Sequence, residues 1–577
     1  MLSSESKLGS GKAKLLFKYD NFYSPSNEDF YRYNIYKDLV RSKENPQFRL
    51  LKIKPFAAAK QDISCELIDG LLLNEFRNKY VTISYFAGDP KQTRSILVNG
   101  KKFNVFATLF DSIQEACTFM RKRKSWYATA EFLLWADQIC IDQSNPLERS
   151  HQVGIMRSIY EKADICIISL PGLSKVLDHD HGFTEPKPSK ELYPDSQSAI
   201  FEILDRSLDI FERRDRDPGT FKIRDLIPGI FKSRNHVPDF AKQAEDKPVS
   251  IFASHPWWRR AWVQQEFLLS PEVYFVDHAS EMQWKQLLRQ LEQILNEIEA
   301  PLATTSDELR MRHKSSLAGN TEEIHYCCGM LSRKENENTV RNLRLEEVLS
   351  LVPKYEASDP RDKIYALLGL VAADYSIEPD YSPSYTVEDV LILAARRIIE
   401  FNHNLDILYN VWTEFRDLPS WVPDWRYEPP NFVRNPFVPS DTWEWSEKNV
   451  EFVKAQGEKA SLHLVVHGIC ALVAHGMDPK TLQDQWSLWR SPSLVKKMDV
   501  RSPDSNPPRR NEPQIWWLFG CRSPVALESF GDKFKFRGII DHTVLRAHRA
   551  AYVMVMALAP GRKVSGIKEK WVKLHIV

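Results

Sequence analysis

The sequence predicts an α/β protein, with an open, mainly parallel sheet in its N-terminal half and a mixed α+β C-terminal region. Three observations lead there. Between residues 80 and 170, short β-branched and aromatic runs alternate with segments of helical period, as strands joined by crossover helices do. Hydrophobic residues make up 43% and charged residues 27%, an ordinary globular composition. The length, 577 residues, is too great for one hydrophobic core and calls for two or three domains.

The elements follow in order. Residues 1–50 are polar without a clear period and read as a loosely ordered arm ahead of an α/β domain over 51–280. Tyr80-Val81-Thr82-Ile83-Ser84-Tyr85 is a strand stopped by the turn residues Gly88-Asp89-Pro90. Asn99-Gly100, between the apolar residues of Ser95–Val105, marks a hairpin. Leu109, Ile113, Ala116 and Met120 recur at helical spacing, and Phe132-Leu133-Leu134-Trp135 is a short buried strand. Asn145 can cap a helix that Pro146 opens, with Glu148 at the third position completing a capping-box pattern. The helix presents Val153, Met156, Ile159, Tyr160 and Ala163 as one stripe, and Ile165–Leu170 returns as a strand. Residues 175–250 change character and read as a surface insertion. Order resumes at Pro256, where Trp258, Trp262 and Leu269 suit one helical face, before a strand at Val273–Val276. Residues 281–425 read as mainly helical and 426–577 as mixed, with a disordered stretch at 492–513.

Charge and cysteines exclude several function classes. With 78 basic and 77 acidic side chains, nothing draws the chain as a whole to nucleic acid or anionic lipid. The longest apolar run, Ala550–Ala559, is half of the roughly 20 residues that a membrane helix needs, so no membrane association is expected. The eight cysteines are scattered and none forms a C-x-x-C pair, which points to reduced thiols, no zinc site and a cytoplasmic protein. No cofactor motif is present; Gly9-Ser10-Gly11-Lys12-Ala13 imitates a P-loop but lacks its first glycine and its magnesium ligand.

Three stretches then carry a resemblance, in order and in spacing. They are Ile83-Ser84-Tyr85-Phe86-Ala87-Gly88-Asp89, then Leu134–Gln143 running into Glu148-Arg149-Ser150-His151-Gln152-Val153, and Trp257–Glu266. Together they resemble the fungal heterokaryon-incompatibility (HET) domain, with Asp359–Gly369 and Pro379-Asp380-Tyr381-Ser382 similar to segments that commonly follow it. Ala87 stands in place of the usual tryptophan, Gln138 of a small residue and Asp142 of an asparagine. The resemblance implies a role in non-self recognition between fused hyphae and in the programmed cell death that follows, through a protein partner or self-association. It also implies a fold of TIR-like or flavodoxin-like kind. Since some TIR domains cleave NAD, the alternative it raises is an enzyme that hydrolyses NAD or a related nucleotide.

Candidate site residues follow from the strand ends, where open parallel sheets bind ligands. Ser84 and Tyr85 end one strand and run into Gly88 and Asp89, and Asp137 follows another and runs into Gln143. Asp137 succeeds an apolar strand, where a carboxylate has little packing use; its structural alternative is to hold a turn. Glu148 is the acid that could stabilise an oxocarbenium-like centre, against its use in the capping box. Arg149, at a helix start, could meet a phosphate or simply form a surface ion pair. Cys140 with His151 could form a thiol–base pair, and the tryptophans at 257, 258 and 262 could stack on a base, although burial in the core suits all of them.

Overall fold

The computed structural model describes residues 27–33, 35–42, 44–53, 63–123, 131–170, 252–277, 280–304, 323–335, 344–351, 355–371, 374–411 and 418–427. Toward the C-terminus it describes 450–454, 462–470, 513–518, 521, 525–539 and 572–577. The expected insertion, most of the N-terminal arm, the stretch before residue 513 and the run 550–559 lie outside these residues. The chain forms two compact units. The first is Met1–Leu343 together with two short returning segments, Glu356–Ser358 and Pro379–Tyr381.

The first unit is built on a nine-stranded sheet. Its strands are β1 (Gln47–Ile53), β2 (Ser64–Leu72), β3 (Val81–Tyr85), β4 (Thr93–Val98), β5 (Lys101–Phe106), β6 (Phe132–Trp135), β7 (Ile165–Ser169), β8 (Glu272–Asp277) and β9 (Ser280–Gln283). The spatial order is β5-β4-β2-β1-β6-β3-β7-β8-β9. The four central strands β6-β3-β7-β8 run parallel, while the flanking pairs β1–β6 and β8–β9 are antiparallel. Every residue of β3 and of β7 is buried, as expected for parallel strands covered on both faces. The expected hairpin joins β4 to β5 through Asn99 and Gly100, both with positive φ, the conformation that an Asn-Gly turn supplies.

Helices cover both faces. They are α1 (Glu28–Arg32), α2 (Ala107–Arg123), the single turn α3 (Asp137–Cys140), α4 (Pro146–Glu161), α5 (Val263–Leu268), α6 (Trp284–Thr304) and α7 (323–335). The alternation along β3 and β7 sorts the faces. Ser169 donates to Glu115 on α2, whereas Ser84 donates to Glu266 on α5. Tyr80 donates to the carbonyl of Ile159 on α4, on the same side as Ser84. Where one helical stripe through Trp258, Trp262 and Leu269 was expected, the chain makes a 3₁₀ turn at Pro256–Arg259, an extended Arg260 and then α5.

The second unit holds α8 (Leu345–Leu351), α9 (Asp362–Leu368), α10 (Val387–Asn402) and six strands: β10 (Val450–Lys454), β11 (Leu462–Cys470), β12 (Pro513–Leu518), β13 (Val525–Phe530), β14 (Lys533–Ile539) and β15 (Val572–Ile576). β15 pairs with both β14 and β11, so β11 to β15 close into a ring with β10 added to it. Thr386 and Asp389 form a reciprocal capping box at the start of α10. Among the described residues no helix is long and apolar enough to cross a membrane.

Candidate functional site at the carboxyl ends of the parallel strands

Strand order sets the place. β3 comes first in the parallel set; the chain then adds β6 on one side of it and β7 on the other. The direction of winding therefore reverses at β3, and the crevice beyond the carboxyl ends at such a point is where open α/β sheets bind ligands.

Residues from three separate stretches meet there. The Tyr85 hydroxyl, at the end of β3, donates to Asp137 Oδ1 at 3.1 Å across the β3–β6 junction. Gln143 Nε2 donates to the Asp137 carbonyl at 3.0 Å, and the Gln138 amide donates to Asp137 Oδ1 at 2.8 Å. So Asp137 both holds its own turn and engages Tyr85. On the other side of β3, Ser84 Oγ accepts a 2.8 Å hydrogen bond from the Trp257 indole and donates to Glu266 Oε2. Arg260 joins the two halves: its guanidinium donates to the Tyr85 carbonyl and lies 3.8 Å from Glu266 Oε2.

The electrostatics follow from burial. Ser84, Tyr85 and Glu266 are 1%, 2% and 3% exposed. Burial pushes the Glu266 carboxyl up to about 7, with a smaller push from Asp137, although Arg260 and the Ser84 hydrogen bond both pull it down. The Tyr85 and Tyr160 hydroxyls are raised well above 10, by burial first and then by nearby carboxylates. His255 is held neutral by burial, at about 4, and its Nδ1 accepts from the Trp257 amide at 3.2 Å. A carboxyl that changes protonation near neutral pH can give or take a proton in a reaction. Beside it stand a hydroxyl, Ser84, and a fixed cation, Arg260.

The remaining sequence candidates disperse. Glu148 faces Arg49 on β1: both of its oxygens accept from that guanidinium, and Oε1 also accepts from the Asp142 amide at 2.8 Å. Asn145 caps α4 as expected, accepting from the Leu147 and Glu148 amides at 3.2 Å each. Glu148 makes no return bond to the Asn145 amide, which donates to the Asp142 carbonyl. A buried arginine outcompetes a cap for the carboxylate, because a charge out of water needs its counterion. Arg49 also bonds Asp69 at 2.5 Å and the Lys37 carbonyl at 2.7 Å. Arg149 lies over the Tyr381 ring, 3.8 Å from its centroid. Asp89 accepts from the Lys91 amide at 3.0 Å and shapes the turn after β3, where Gly88 takes φ +71°. The Cys140 thiol is pushed up to about 12 by burial, so it is a core residue and no thiolate. Trp257 and Trp258 are buried in an aromatic cluster with Phe275. Two of the substituted positions have local uses: Gln138 Oε1 accepts from the Phe106 amide at 3.2 Å, and Asp142 Oδ1 accepts from the Ser144 amide at 3.0 Å. Among the described residues no group of three or more His, Cys, Asp or Glu could hold a metal.

Residues 80–266, from Tyr80 at the foot of β3 to Glu266 itself, match the family described as heterokaryon incompatibility protein (HET). That part of the chain matches the HET domain. A curated relative, heterokaryon incompatibility protein 6, OR allele, from Neurospora crassa, is 25% identical over 423 residues. That alignment covers 68% of this chain and 59% of the relative, so the chain spans less than two thirds of the relative's length. No solved structure matches the chain. The three stretches that resembled the family in sequence are the three that meet at the strand ends of the HET domain. Sequence reasoning had Ser84, Tyr85, Asp137 and Gln143; it quoted Arg260 and Glu266 without assigning them a role.

Proposed function

We propose that this protein acts in non-self recognition and the programmed cell death that follows it, in the cytoplasm, through a protein partner or self-association. The HET domain is the part that delivers the death signal, and the cluster around Glu266 is the place from which it does so. One observation carries this reading. Stretches separated by as many as 182 positions in the chain send Ser84, Tyr85, Asp137, Arg260 and Glu266 to the same strand ends, and those stretches lie within the family match. A fold needs no such convergence of charged groups for stability, because well-packed apolar residues serve as well or better.

The test is inducible expression of the full chain in a filamentous fungus, scored by uptake of a vital dye. Wild type kills; Glu266→Gln and Tyr85→Phe, expressed at equal levels, do not. Death that persists undiminished in both variants would remove the cluster from the mechanism, and a wild type harmless at every expression level would remove the role in cell death.

A second reading, hydrolysis of NAD or a related nucleotide, is favoured by the proton affinity of Glu266, which suits a general acid or base at neutral pH. On this reading the acid is Glu266, since Glu148 is held by Arg49. Purified full-length protein then releases nicotinamide from NAD, and Glu266→Gln does not. Absence of release from the wild type refutes it.

A further inference from the structure

We infer that the returning segment Glu356–Ser358 is a strap that locks the Glu266 cluster in a closed, silent state, and that releasing it switches the HET domain on. The inference rests on the proposed role in cell death. The strap itself stands on geometry.

Arg260 is extended, with φ −70° and ψ 135°, between the 3₁₀ turn and α5. That conformation lets it pair like a strand residue, and it forms a parallel bridge with Glu356. The Glu356 amide donates to the Arg259 carbonyl at 2.6 Å, and the Ala261 amide donates to the Glu356 carbonyl at 3.0 Å. The backbone on both sides of Arg260 is thereby held by one residue from nearly a hundred positions downstream. The guanidinium so placed meets Tyr85 and Glu266. A second returning segment grips α4: the Tyr381 amide donates to Ser150 Oγ at 3.0 Å, and Arg149 stacks on the Tyr381 ring. Both segments lie beyond residue 266, outside the stretch that matches the family.

Burial is what keeps the closed state silent on this reading. With Ser84, Tyr85 and Glu266 at most 3% exposed, no partner or ligand can reach them. Arg260 is the member of the cluster whose backbone is held from outside the matched domain, so it is the part that a distant event could move. Glu356 acts through its backbone alone, its side chain being exposed. That separates the strap from ordinary side-chain packing.

The experiment uses the full chain with Glu356→Ala, Glu356→Pro and, in case the proline variant fails to fold, Tyr381→Ala. Hydrogen exchange by mass spectrometry reads peptides over residues 257–266 and 146–156, and the fungal viability assay reads function. Proline removes the amide that bonds Arg259, so exchange over 257–266 should rise about tenfold, the scale of one lost hydrogen bond. Glu356→Ala should match wild type, and Tyr381→Ala should speed exchange over 146–156. Glu356→Pro and Tyr381→Ala should each kill at expression levels at which wild type is harmless. Unchanged exchange over 257–266 in Glu356→Pro overturns the strap. Faster exchange without enhanced killing overturns the switch while wild type still kills on overexpression. If wild type never kills, the proposed function fails along with the switch, and the exchange result still decides whether the strap holds Arg260.

Discussion

Glu266→Gln keeps the shape of the side chain and removes its titration, which makes the energetics of the cluster measurable. The carboxyl sits at about 7 in the folded chain against an ordinary 4.5, chiefly because burial disfavours its charge. That difference corresponds to about 3 kcal/mol. The sign follows from the direction. A folded-state value above the unfolded one means that the native protein keeps a proton which the unfolded chain has shed. The stabilisation is therefore complete below pH 4.5, is lost as the pH rises toward 7, and stays lost above it. Glutamine stays neutral throughout and still offers an oxygen to Ser84. The stability of Glu266→Gln relative to wild type should thus rise by about 2.5 kcal/mol between pH 5 and pH 8, with the variant the more stable at the alkaline end. Hydrogen exchange of peptides over Val263–Leu268, taken as a ratio of the two proteins at each pH, cancels the intrinsic pH dependence of exchange. A ratio constant with pH would refute the reasoning, because Glu266 would then titrate alike folded and unfolded. A ratio moving the other way would mean that Arg260 outweighs burial.

Two further outcomes test the framework around the site. Arg49→Met strands Glu148 and Asp69 without their buried cation and should lower stability by about 3–5 kcal/mol in denaturant titration, with Glu148→Gln in the same chain recovering part of it; a loss under about 1 kcal/mol would show that water reaches the pair. Gly88→Ala should cost more than Gly100→Ala, although both take a positive φ worth about 1 kcal/mol of strain, because at Gly88 a Cβ would come within 3.2 Å of Thr108 Cγ2 while at Gly100 nothing lies within 4 Å. Equal losses in thermal unfolding would place the clash with Thr108 in doubt.

Local chemistry made much of the first unit legible. Val81–Tyr85 and Ile165–Ser169 read as strands because β-branched and apolar runs between turn residues suit little else, and Asn99-Gly100 announced its hairpin. Pairing across long separations was not legible. β1 lies between β2 and β6, and nothing in Gln47–Ile53 states that an arginine in its middle will be buried at 0% exposure. Arg49 is stable there because Asp69 and Glu148, 20 and 99 positions on, both face it. For the same reason Glu148 was weighed only between a cap and a catalytic acid: its partner lay in a stretch that carried no motif.

The site divides along the same line, and the division bears on how it works. Asp137 and Tyr85 could be read as neighbours from strand ends alone, because adjacent parallel strands present their carboxyl ends together. Glu266 could not, because its partner Ser84 lies 182 positions away and no local pattern announces such a pairing. A coarser signal was present: Gln264, Gln265 and Glu266 are three successive polar residues, and all are buried. A helix lying on a core has no use for three such residues in a row unless partners await them. The chain breaks at Arg260 to bring Glu266 against Ser84, and the break is held open by pairing with Glu356. The irregularity at Arg260 thus helps to set where α5 begins and where its acid sits. A straight helix through Arg260–Glu266 would lose the bridge to Glu356 and shift the carboxyl that meets Ser84.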